Sequence, residues 1–151
     1  MNEAGLALLK DFEKCRLAAY LPTPQDKPTI GWGHTGPDVH LGMTWTQAQA
    51  DAALVADLKW REDEVAQLTE GCPTTPNQHA AMTCLAYNIG FGNPAKGIDG
   101  FSTSSVLRRH MLGNYAGAAD AFMLWIRQGN RRLPGLINRR QAERELYLEP
   151  A

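Results

Sequence analysis

The chain has 151 residues, 44% of them apolar and 21% charged, which is enough for one domain with a real core and too apolar for a disordered chain. Fifteen Lys and Arg against sixteen Asp and Glu leave a formal charge of −1, excluding a uniformly basic nucleic-acid binder. That balance sums unlike parts, since residues 1–100 carry seven basic and twelve acidic side chains while residues 101–151 carry eight and four.

The first segment, MNEAGLALLKDFEKC, holds an acid at Glu3 and only a short apolar run, so neither a signal peptide nor a membrane anchor is expected. Leu6, Leu9 and Glu13 stand at i, i+3 and i+7, which predicts a helix with a carboxylate on its apolar stripe beside Phe12. From Arg16 to His34 short aromatic and β-branched runs flank a turn containing Pro22, Pro24 and Pro28, the pattern of a small β-hairpin or meander. Thr44 and Gln47 read as a capping box opening a helix of ~25 residues toward Gly71.

Thr75-Pro76 then opens an all-round apolar helix that stops at Gly90. Further helices are expected from Ser102 or Thr103 into SVLRRHML, from Asn114 into YAGAADAFMLWIRQ and from Gly135 into LINRRQAERELYL, with stops at Gly113 and Gly129. The fold class is α+β. Residues 1–44 would form a small β-containing lobe, 45–71 a connecting helix and 72–151 a helical lobe, with a cleft between the lobes. Cys15, Cys72 and Cys84 have no C-x-x-C or Cys/His metal spacing, so no metal or other cofactor is expected.

A carboxyl among apolar neighbours is a proton donor in waiting, and glycosidic cleavage needs such a donor plus a second group to organise water or steady charge on the sugar. Glu13, Arg16, Leu17, Ala19 and Tyr20, a polar turn, and then Thr29-Ile30-Gly31-Trp32-Gly33-His34-Thr35 resemble the bacteriophage-type lysozymes, the endolysins of glycoside hydrolase family 24. The family pattern reads roughly E-G-x-R-L-x-A-Y, a turn bearing an acid, then T-I-G-Y-G-H-T. Asn77-Gln78, Tyr87-Asn88-Ile89-Gly90, Phe101-Ser102-Thr103-Ser104, Trp125 and Gly135-Leu136-Ile137-Asn138-Arg139-Arg140 follow in the family's order.

The resemblance implies a lysozyme-like fold and a muramidase cleaving the β-1,4 bond from N-acetylmuramic acid to N-acetylglucosamine, with inversion. Glu13 would be the acid, and Thr29 would help hold the attacking water. The usual middle acid is missing, because the family spacing lands on Pro22 and Thr23. Asp26, three residues before Thr29, is the carboxylate of the turn and the candidate replacement; an Asp in such a turn also bonds its own backbone. Thr23 is the alternative. Tyr87, Asn88, Phe101 and Ser104 fall where the resemblance places sugar-binding groups, while His34 would support the hairpin.

The partner implied is peptidoglycan, met by a monomer without nucleic-acid or membrane attachment. The enzyme would wait in the host cytoplasm until a holin-type pore releases it to the wall. Arg108, Arg109, Arg131, Arg132, Arg139 and Arg140 could draw it to a polyanion, or the last pair could be structural. Alternatives are a lytic transglycosylase using the same Glu13 and a noncatalytic wall-binding module.

Overall fold

The computed structural model describes residues 1–150. They fall into two compact units, Leu9–Trp60 and a second made of Met1–Leu8 with the chain from Arg61 onward. The expected lobe over 1–44 is therefore corrected at its start. The chain's first residues belong to the helical unit, where the terminal ammonium pairs with Glu62 at 2.6 Å and Asn2 donates to Asn77 at 2.8 Å. Gly5 is required there, since a Cβ would meet the Ala80 methyl at 2.7 Å.

Helix α1 (Glu3–Glu13) runs from the second unit into the first, and α2 (Gln47–Leu68) runs back. Within Leu9–Trp60, strands β1 (Arg16–Tyr20), β2 (Thr29–Gly31) and β3 (His34–Thr35) form an antiparallel sheet in the order β1-β2-β3. Tyr20 faces Thr29 and Arg16 faces Gly31, with an irregularity between. Leu9, Ile30, Val39, Ala50, Leu54 and Leu58 are buried in this unit.

The α2 start shifts from the expected Thr44 to Thr46. Thr46 Oγ1 accepts from the Gln49 N–H at 3.2 Å, and Gln49 Oε1 accepts from the Thr46 N–H at 2.8 Å. Both threonines fit the capping-box pattern. Thr44 is unavailable because it bridges Ala18 in extended backbone, between the Ala19 N–H to Met43 O and Trp45 N–H to Leu17 O bonds.

In the helical unit α3 (Pro76–Ile89) opens at Thr75-Pro76 and stops at Gly90, φ 79°, as expected, and the structure adds a Thr75/Gln78 capping box. Its Ala80–Ala86 stretch is buried, against α6 (Pro134–Leu148), α4 (Ser105–Met111) and α5 (Tyr115–Ala121). Ser104, rather than Ser102 or Thr103, caps α4, because residues 101–103 form a 3₁₀ turn. The expected helix beyond Ala121 breaks into a 3₁₀ turn (Phe122–Leu124) and a hairpin of β4 (Arg127–Gln128) and β5 (Arg131–Arg132) around Gly129-Asn130. A Gly-Asn pair is a two-residue hairpin turn signal.

Two of the arginines offered to a polyanion lie in the core. Arg139 and Arg140 flank Glu143, with Arg140 Nη2 donating to Oε1 at 2.8 Å and its Nε 2.7 Å from Oε2 as an ion pair without hydrogen-bond alignment. Burial pushes the Glu143 carboxyl upward against the pull of Arg140 and Arg139. Their role is structural; Arg127, Arg131 and Arg132 stand exposed on the hairpin instead. Nearby His110 is buried between Thr74 Oγ1 at 2.8 Å and Tyr147 Oη at 2.6 Å, and burial lowers its pKa.

Two stability changes are expected. Lys14 ends α1 at φ 54°, in the left-handed region where the E-G-x-R pattern has glycine. Lys14→Gly should stabilise by ~0.5–1 kcal/mol, read as a rise of a few degrees in Tm. Glu143→Gln, which leaves two buried guanidinium groups short of a counter-charge, should cost about 3 kcal/mol in urea unfolding.

Candidate active site

Glu13 is the last residue of α1 and is half-buried. After it the chain turns through the left-handed Lys14, closed by the Lys14 N–H to Lys10 O bond, and enters β1 three residues after the acid. The Pro-rich segment from Leu21 to Lys27 is exposed throughout. Within it the Asp26 N–H donates to Thr23 O at 3.0 Å, closing the turn that brings the chain back into β2. Thr29 opens β2, is 6% exposed, and donates its hydroxyl proton to Lys27 O at 3.1 Å. Glu13, Asp26 and Thr29 thus share one compact unit.

What fixes the β2–β3 turn is a pair of carboxylates that sequence reasoning missed. The Trp32 indole N–H donates to Asp51 Oδ1 at 2.8 Å, and His34 Nδ1 lies 2.7 Å from Asp57 Oδ2. Ala50, Leu54 and Leu58 form the buried stripe of α2, and Asp51 and Asp57 flank that stripe one residue from either end. The i+1 and i−1 offsets from an i, i+4, i+8 stripe were the signal that could have found them. Gly31, at φ 67°, lets β2 pass against the Trp45 ring, which a Cβ would meet at 3.1 Å. Such close approach is what a glycine within a strand permits.

His34 has the supporting role assigned to it. Its Nε2 also reaches Asp38 Oδ2 at 3.2 Å, and its ring lies 5.4 Å from that of Trp45. Burial of the ring pulls its pKa down, but the hydrogen bonds and charges of Asp57 and Asp38 outweigh this and leave it raised. On the opposite side of the turn Lys10 Nζ sits 5.2 Å from the Trp32 ring centre.

The four expected sugar-binding residues lie in the helical unit and divide into two pairs. Tyr87 is half-buried with the Arg61 guanidinium 4.6 Å from its ring centre, and Asn88 is exposed, its Oδ1 accepting from Arg140 Nη1 at 2.9 Å. Asn88 and Trp125 line a cavity of about 440 Å³ with Arg127, Gln128 and Leu133. Phe101 and Ser104 are corrections. The Phe101 ring is fully buried and meets Phe91 edge-on, so it offers no face to a sugar. The Ser104 hydroxyl is spent on Phe101 O and the Leu107 N–H as the α4 cap. Trp60 is 51% exposed.

Residues 10–143 match the family model described as phage lysozyme. The chain belongs to that family. It is 40% identical over 153 residues to the endolysin of Salmonella phage P22, covering 98% of this chain and 97% of that one. To the endolysin of Acyrthosiphon pisum secondary endosymbiont phage 1 it is 39% identical, covering 97% of each. Other related endolysins are longer, and the chain spans 54 to 61% of their length. Among solved structures, the muramidase domain of SpmX from Asticaccaulis excentricus superposes with a TM-score of 0.83 at 34% identity, over 99% of this chain and 97% of that domain. The phage lysozyme is accordingly a peptidoglycan-degrading glycoside hydrolase of the endolysin type, with an α+β lysozyme-like fold.

The raised His34 gives the site unit a pH signature. A folded pKa above the unfolded value of about 6.5 supplies stability that is fully present below that value and is lost as pH rises through the folded pKa. Asp57→Asn should therefore lower Tm more at pH 5.5 than at pH 9, as a pair of calorimetric scans would show. An equal loss at both would sink the ion-pair account.

Proposed function

We propose that Glu13 protonates the glycosidic oxygen between N-acetylmuramic acid and N-acetylglucosamine, while Asp26 and Thr29 manage the water that attacks C1. The observation that carries this is the sharing of one compact unit by the end of α1, the 21–28 turn and the start of β2. Because Thr29 donates its own proton to Lys27 O, its oxygen is left to accept from the water, turning a lone pair toward the sugar. Asp26 takes the second water proton. The C1–O bond breaks as the new bond forms on the opposite face, and the Glu13 proton leaves on the departing hydroxyl.

In this inverting arrangement the two carboxyl groups stand ~6.5–9.5 Å apart in the working complex, leaving room for water. Tyr87 and Asn88 bind the glycan, the free Asn88 amide N–H groups meeting an acetamido carbonyl. The enzyme acts as a monomer and reaches the wall from the host cytoplasm through a holin-type pore. Among the described residues, no helix is long and apolar enough to cross a membrane.

Purified protein should clear bacterial cell walls and release reducing ends of inverted configuration, seen by NMR of the fresh product. Anhydro-muropeptides in the mass spectrum would instead mark a transglycosylase. Glu13→Gln should lower the rate ~10²–10⁴-fold; clearing that survives it overturns the assignment of the acid. Asp26→Asn should cost more than Thr23→Val, and the reverse order would move the water-activating role to Thr23.

A further inference from the structure

A side-chain relay in the Leu9–Trp60 unit starts and finishes on either side of Glu13. Lys10, one turn before the acid, lies over the Trp32 ring; the indole N–H donates to Asp51 Oδ1 at 2.8 Å. The same oxygen accepts from Gln47 Nε2 at 3.0 Å, and that amide reaches Cys15 Sγ, two residues after the acid, at 3.7 Å. Asp51 is the hub, being the acceptor common to the indole and the amide. The bonds from Trp32 and Gln47 hold its carboxyl below the usual carboxylate range, consistent with an ionised acceptor.

Two elements that carry the proposed chemistry meet at this carboxylate. Trp32 follows Gly31 directly, so its indole is the handle of β2, which carries Thr29. Lys10 and Cys15 bracket the end of α1, which carries Glu13. Along the chain the two elements are joined by β1, which starts three residues after Glu13 and pairs with β2 through Arg16 and Gly31, and the Asp51 relay adds a side-chain tie to that backbone one. We propose that Asp51 is a positioning residue of the lysozyme reaction, tying the Trp32 end of β2 to α2 and, through Lys10, Gln47 and Cys15, to the α1 terminus that presents Glu13.

The inference rests on the roles given to Glu13 and Thr29 above. A residue that sets the spacing of acid and water without touching substrate should act on kcat and leave binding alone. The test measures kcat and KM on solubilised peptidoglycan chains by release of reducing ends.

Asp51→Ala should lower kcat ~10-fold with KM changed by less than twofold. Trp32→Phe, which deletes the N–H and keeps an aromatic ring, should do the same, and the double variant should be no slower than the slower single one. Asp51→Asn, which keeps an oxygen for the indole, should recover most of the loss. An unchanged kcat in Asp51→Ala, losses that multiply in the double variant, or a KM that rises in step with the fall in kcat would each overturn the proposal. If Asp51→Ala fails to fold, Trp32→Phe decides alone by the same kcat and KM criteria. Glu13→Gln is run alongside: activity surviving there overturns the acid, whereas a normal kcat in the Asp51 and Trp32 variants with Glu13→Gln inactive overturns only the positioning role.

Discussion

Two carboxylate-to-ring bonds tie the short β2–β3 hairpin of the candidate site to α2. Strands β2 and β3 have three and two residues, far below what an isolated hairpin needs to persist in water. Thr29 and Ile30 supply two buried side chains, and Gly31 supplies none. The deficit is met from α2, where Asp51 and Asp57 take the Trp32 and His34 ring N–H groups on either side of the stripe that Ala50, Leu54 and Leu58 bury. Helix α2 therefore braces the hairpin in addition to its strand partner β1, and its hydrogen-bonding groups are side chains instead of backbone.

The same economy explains which parts of the molecule the sequence disclosed. Periodicity and caps are local, so the Thr75-Pro76 opening and the Gly90 stop of α3 were legible. The α2 start was misplaced by two residues because TWTQAQ contains two overlapping boxes, and only the Ala18 to Thr44 bridge decides between them. The break after Ala121 was visible in Gly129-Asn130 but was read as a helix stop. There the alternation of two-residue strands is too short to register against a helical run.

For the candidate site, the linear pattern from Glu13 to His34 was sufficient to put Glu13 on a helix and Thr29 in a β-hairpin, elements that share one unit. Burial was beyond reach of it. Phe101 and Ser104 occupy positions where an exposed stack and a free hydroxyl were expected, yet one fills the core and the other closes a helix. Arg139 and Arg140 were left open between surface and core, and the deciding fact is Glu143, one turn on, which a charge count cannot separate from a solvated pair. Asp51 and Asp57 escaped because an acid beside a buried stripe looks the same in sequence whether it meets water or a ring N–H.

Two of the four histidines, His34 and His110, respond to pH in opposite senses. His34 lends its unit stability on the acid side, whereas His110, buried between Thr74 and Tyr147 with its pKa lowered, withdraws stability from the helical unit as pH falls below about 6.5. The slopes are opposite in sign. Acid therefore draws on the helical unit through His110 while the protonated His34 keeps its bonds to Asp57 and Asp38, so the two rings pull the chain's stability in opposite directions as pH falls.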